Sequence, residues 1–200
     1  MDKIVLASNN AHKVAELQAF MRDVYPGVTV LSLRDIGYTA EIVEDGDTFE
    51  DNALIKARTI AALGYTAIAD DSGLMVDALD GAPGVYSARY AGEPCDNAAN
   101  NEKLLSELRD VPDEKRTAKF VSVIAMVTPD GSEIIARGEC RGTILREYRG
   151  NGGFGYDPLF FYEPYGRTFA ELTPDEKNRI SHRAAAIADL KVRLSQTERK

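Results

Sequence analysis

Ala69-Asp70-Asp71-Ser72-Gly73-Leu74 follows the apolar run Thr66-Ala67-Ile68, which puts two carboxylates where a buried strand is expected to give way to a loop. Burying an unpaired carboxylate is costly, so acidic side chains in such a place are solvated, ion-paired or holding a cation. The last reading is adopted, with Mg²⁺ as the cation and a nucleotide as its partner. If the strand stays extended, Asp70 and Asp71 point to opposite faces of the sheet. Only one then addresses a given site, so the pair is not an acid/base dyad. One carboxylate reaches the metal or the attacking water, and the other supports it.

A second acidic cluster, Glu44-Asp45-Gly46-Asp47, precedes a helical pattern. Alone it would do no more than complement a helix dipole. Beside Asp70 and Asp71 it can complete the carboxylate share of a Mg²⁺ shell, which is one or two carboxylates plus waters and substrate phosphates. Asn52 and Lys56, four apart, share a helix face with Phe49. Lys56 either snorkels from that face or meets a phosphate.

Ser8-Asn9-Asn10-Ala11-His12-Lys13 lies between a strand and a helix, where free N–H groups and the positive end of the helix dipole favour phosphate. Lys13 adds a point charge. The glycines and G-K-[ST] ending of a Walker A loop are absent. Gly152-Gly153-Phe154-Gly155-Tyr156-Asp157-Pro158 offers close backbone approach at its glycines, aromatics that can stack on a base, and a carboxylate able to accept from ring N–H donors. Lys177, His182 and Arg183 form the last group. On one straight helix the second and third lie about 140° and 240° around from the first and cannot converge. The sequence therefore predicts a break near Ile180-Ser181, with Ser181 as a second N-cap, freeing His182 and Arg183 to turn toward the ligand.

The elements that position these groups follow from periodicity. Lys3-Ile4-Val5-Leu6-Ala7 reads as a strand, and Val14, Leu17, Phe20 and Met21 recur at helical spacing. A helix is predicted over 48–63, stopped by Gly64, and another over 97–109. Residues 118–128, the turn Pro129-Asp130-Gly131 and residues 133–138 read as a β-hairpin. Short strands are predicted at 143–146 and 159–162. Thr173-Pro174-Asp175-Glu176 is a capping box with Pro at the first helical position, and residues 197–200 read as a frayed tail. Helices alternating with strands plus one hairpin predict an α/β fold with a mixed central sheet and flanking helices.

Two hundred residues, 44% hydrophobic, suit one domain, 1–200, of one or two lobes. A net charge of −8 argues against a nucleic-acid polymer as partner. Cys95 and Cys140 form no C-x-x-C pair, and a reducing cytosol is expected. With only His12 and His182, a multi-histidine metal site is excluded. No apolar run is long enough for a membrane span, and the N-terminus lacks the shape of a secretion signal.

Residues 8–13, 48–57, 70–92, 154–160 and 176–183 together closely resemble the inosine triphosphate pyrophosphatase family, most narrowly its bacterial dITP/XTP pyrophosphatase branch. A-D-D-S-G-L, G-A-P-G-V-Y-S-A-R-Y-A-G, G-G-F-G-Y-D-P-L-F and E-K-N-R-I-S-H-R occur in that order. The resemblance implies two lobes around an active-site cleft, and a cytoplasmic homodimer that uses Mg²⁺ to hydrolyse ITP, dITP and XTP to the monophosphate and pyrophosphate. It implies Asp71 as proton acceptor, with Glu44 and Asp71 as metal ligands and Asp45 as the alternative to Glu44. It implies substrate binding by Ser8, Asn9, Asn10, Ala11, His12, Lys13, Lys56, Ser72, Phe154, Gly155, Tyr156, Asp157, Lys177, His182 and Arg183. The rival readings are a Maf-like nucleotide pyrophosphatase and a nucleotide-binding sensor without hydrolysis.

Overall fold

A computed structural model describes residues 3–8, 17–18, 20–22, 24–25 and 27–197. Among the described residues, seven strands form one mixed sheet in the order β2-β1-β3-β4-β5-β6-β7. They are β1 (Lys3–Leu6), β2 (Thr29–Ser32), β3 (Thr66–Val76), β4 (Thr117–Val127), β5 (Glu133–Ile144), β6 (Phe160–Tyr162) and β7 (Arg167–Thr168). β1 pairs parallel with β2 and β3, setting Ile4 opposite Val30 and Thr66. β6 pairs antiparallel with β5 and β7. The helices that bear on the site are α1 (Phe49–Ala61), α2 (Asn97–Glu107), α3 (Pro174–Ile180) and α4 (His182–Thr197).

Two strands depart from expectation. Asp70 and Asp71 do not end β3; they sit in its middle, because Leu74 and Val76 continue the buried pattern. The predicted strands 133–138 and 143–146 are one strand, β5. Gly142 marks close approach rather than a stop: a Cβ there would lie 2.5 Å from the Phe161 carbonyl on β6.

Local chemistry accounts for the helices. Thr48 caps α1 by accepting from Asp51 N at 3.1 Å, and Gly64, at φ +90°, takes the left-handed turn that follows. Asp96 caps α2 through Ala98 N and Ala99 N. The expected hairpin is closed by Thr128 N donating to Ser132 O at 3.0 Å. The break at Ser181 is present: its φ of −67° and ψ of 157° are extended, and its hydroxyl accepts from Ala184 N at 3.2 Å. Helix α4 includes Thr197, and residues 198–200 lie outside the described residues. No helix among the described residues is long and apolar enough to cross a membrane.

The chain divides into two compact units. The first comprises residues 1–71, 123–137 and 186–200. Its core joins Ile4 and Leu6 of β1, Ile68 of β3, Ile124 and Met126 of β4, and Leu190 and Leu194 of α4. The second comprises residues 72–122 and 138–185. Its core joins Leu74, Leu104, Leu108, Phe120, Phe160 and Phe169.

Candidate active site

In the first unit, α1 carries a buried stripe of Phe49, Asn52, Ala53, Lys56, Ala57 and Ile60. Asn52 and Lys56 are its polar members, and both are used. Lys56 Nζ lies 2.5 Å from Glu44 Oε2 and 3.9 Å from Asp71 Oδ1. Asn52 Nδ2 donates to Asp71 Oδ2 at 3.2 Å, and its Oδ1 accepts from Gly46 N at 2.9 Å. One helical turn thus fixes both the loop bearing Glu44 and the Asp71 carboxylate. Gly46 is required by crowding: a Cβ there would come within 2.8 Å of Asn52 Oδ1. Asp45 is exposed, whereas Glu44 is half-buried. Asp70 is buried at 2% exposure. Ser8 follows β1 and donates its N–H to Leu6 O at 2.9 Å. Asn9, Asn10, Ala11, His12 and Lys13 lie outside the described residues.

The second unit holds the remaining candidates. Ser72 continues β3 directly after Asp71. Asp157, 2% exposed, accepts through Oδ2 from Lys177 Nζ at 2.5 Å and from Phe154 N at 2.8 Å. Gly153 has φ +72°, and a Cβ there would collide with that carboxylate. Of the two aromatics, Phe154 is 52% exposed and has Lys177 Nζ 4.7 Å from its ring centroid. The Tyr156 ring is buried, and its hydroxyl donates to Ser87 O at 2.8 Å. Burial pushes that hydroxyl far above the usual tyrosine range.

The break at Ser181 lets α3 and α4 present Lys177 and His182 to one aromatic cluster. Lys177 Nζ sits 5.4 Å from the Phe169 ring, and the His182 ring stacks on Phe120 at 5.0 Å. Phe120 and Phe169 are themselves stacked at 5.7 Å. His182 and Arg183 are both 6% exposed. α3 is held at its start by the capping box of Thr173 and Glu176, and Glu176 also accepts from Arg167 Nη2 at 2.6 Å.

Asn52, Asn100 and Asn101 hold these segments by hydrogen bonds, and sequence reasoning does not assign them to the site. Asn100 donates to Ala88 O at 2.9 Å and accepts from Ala91 N at 2.7 Å, and Asn101 donates to Gly155 O at 2.9 Å. The signal is present in the sequence: each asparagine lies on the apolar stripe of its helix, where an unpaired amide would be costly.

The chain is similar to known proteins over nearly its whole length. The family model described as the Ham1 family matches residues 4–193. A dITP/XTP pyrophosphatase of Clostridium perfringens is 50% identical over 97% of this chain and 98% of its own length. One of Desulforamulus reducens is 54% identical over 92% of each. The Staphylococcus aureus Ham1 protein superposes with a TM-score of 0.91 at 41% identity, covering 98% of this chain and 100% of its own. With nearly its whole length matched in sequence and in fold, the chain belongs to the Ham1 family.

Proposed function

We propose that this chain hydrolyses the non-standard purine nucleoside triphosphates ITP, dITP and XTP to the monophosphate and pyrophosphate, and so cleanses the nucleotide pool. The relatives at about half identity are named dITP/XTP pyrophosphatases. The observation that carries the chemistry is the Glu44, Lys56 and Asp71 group, two carboxylates facing one ammonium. In this reading residues 1–200 act as one pyrophosphatase domain, since the family model runs through both compact units.

Asp71 accepts the proton of the water that attacks the α-phosphorus, and the α–β anhydride bond breaks with pyrophosphate leaving. Asn52 holds one oxygen of Asp71 so that the other stays directed. Lys56 and Lys13 take up the charge of the leaving group. The donor set fits a hard divalent cation: Glu44 and Asp71 already converge on a positive centre, and phosphates and waters would complete an oxygen shell. Glu44 and Asp71 would hold Mg²⁺, which supplies neutralisation of the triphosphate charge.

Ser72 and residues 8–13 bind the sugar and phosphates. Phe154 offers its exposed ring for stacking, Gly155 and Tyr156 contribute backbone groups, and Asp157 with Lys177, His182 and Arg183 completes the base pocket. A 6-oxo purine carries an acceptor beside the N1–H donor, whereas adenine presents the reverse. The wrong base leaves buried groups unpaired, which can cost several orders of magnitude in rate. The protein works as a cytoplasmic homodimer in this account, with no nucleic-acid polymer and no membrane as partner.

Pyrophosphate release from ITP, dITP, XTP, ATP and GTP, with and without Mg²⁺, tests the proposal. Preferential release from the first three, dependent on the metal, is expected. Binding without release would instead describe a sensor, and preference for other modified nucleotides would describe a Maf-like enzyme.

A further inference from the structure

Residues 154–157 form a β-turn, closed by Asp157 N donating to Phe154 O at 3.3 Å. Gly155 takes its second position with φ +60°. Asp80 is the only non-glycine with positive φ among the described residues, so Tyr156 has negative φ. A positive φ followed by a negative one is the type II′ pattern. The closing bond uses the Phe154 carbonyl and the Asp157 N–H, leaving the central peptide between Gly155 and Tyr156 outside the turn's own bonding.

The two polar groups of a trans peptide point in opposite directions, so fastening one aims the other. Asn101 Nδ2 fastens the Gly155 carbonyl at 2.9 Å. Because a carbonyl can only accept, the Asn101 amide must turn its NH₂ to it. Asn101 is 4% exposed, and its helix is pinned by the Asp96 cap and by Asn100. No acceptor among the described residues takes the Tyr156 N–H. Rotating the central peptide by half a turn would give the I′ form, replace that N–H with a carbonyl, and drive Tyr156 to positive φ, which a bulky residue resists.

We propose that Asn101 is a specificity-determining positioning residue. By tethering the Gly155 carbonyl it presents the Tyr156 N–H, a donor, to position 6 of the purine, and so selects a 6-oxo acceptor over a 6-amino donor. The tether and the steric preference of Tyr156 hold the same orientation. The inference rests on the assignment of residues 154–157 to base recognition.

The test compares kcat/KM for ITP, ATP and GTP in wild type, Asn101→Ala and Asn101→Asp. The aspartate keeps the shape but meets the Gly155 carbonyl with an acceptor. The ITP to ATP ratio is expected to fall about tenfold in the alanine variant, near the upper end for one hydrogen bond, and further in the aspartate variant. The ITP to GTP ratio should stay within about twofold, because guanine shares the 6-oxo group, and affinity for inorganic pyrophosphate should be unchanged. Should the alanine variant melt below the assay temperature, Asn101→Ser is compared with the aspartate variant. An unchanged ITP to ATP ratio in folded variants, or a parallel loss on all three nucleotides, overturns the role of Asn101. A wild type that does not distinguish ITP from ATP overturns the underlying reading of the base pocket instead.

Discussion

Lys56 Nζ stands 2.5 Å from Glu44 Oε2, so a buried ammonium on α1 fixes a carboxylate donated by the preceding loop. The same nitrogen is 3.9 Å from Asp71 Oδ1. A chain segment of low regularity is thereby tied to the middle of a core strand through one helical turn. The neighbouring Asp45 has no part in this, being exposed.

That contrast favours Glu44 over Asp45 as the proposed metal ligand. Glu44→Gln is expected to raise the Mg²⁺ concentration for half-maximal pyrophosphate release by about tenfold, the scale of losing one shell contact. Asp45→Asn should leave it within about twofold, since an exposed carboxylate adds only a screened charge. Metal titrations of the two variants check this, and a larger effect at Asp45 would move the ligand by one residue.

Gly153 turns the backbone of the loop proposed to bind the base, with positive φ and no room for a Cβ beside the Asp157 carboxylate. Gly153→Ala should therefore lower stability by about 1–3 kcal/mol. It should also raise KM for dITP as Asp157 and Lys177 are displaced. Thermal melting and steady-state kinetics measure the two effects, and an alanine variant with unaltered KM would mean that the loop does not touch the base.

Glu176 supports α3, and with it Lys177. Its pKa is held down to about 2, chiefly by the Arg167 guanidinium and then by the Thr173 backbone N–H. A carboxylate whose folded pKa is depressed adds stability above its unfolded pKa, and that contribution is lost as pH falls through the folded value. Glu176→Gln should melt below wild type at pH 7, and the gap should close between about pH 4.5 and pH 2. Melting curves across that range decide it; a gap unchanged at pH 2 would place the effect elsewhere than in the ionised carboxylate.

Periodicity was sufficient for α1, α2, the hairpin of β4 and β5, and the Ser181 break, because each carries a local signal: a cap, a turn or a helical-angle conflict. It failed where neighbouring strands override local cues. Asp70 and Asp71 read as a strand terminus, yet the sheet keeps them in mid-strand because residues 74–76 are buried beyond them. Gly142 read as a gap between strands, yet it is the residue over which β6 passes. Tyr156 and Phe154 are indistinguishable as aromatics in a glycine-rich loop, and only packing shows that one ring is buried on Ser87 and the other exposed. The asparagines that orient Asp71 and Gly155 were legible only as polar residues on apolar stripes, since their partners lie 19 and 54 positions away.

The central claim, that Asp71 takes the proton of the attacking water, is tested most directly by pyrophosphate release from dITP by Asp71→Asn at saturating Mg²⁺. Asn52 can still donate to the amide oxygen and Lys56 keeps its contact with Glu44, so the fold should be retained while turnover falls by at least about 10³-fold. Release at close to the wild-type rate would contradict the account.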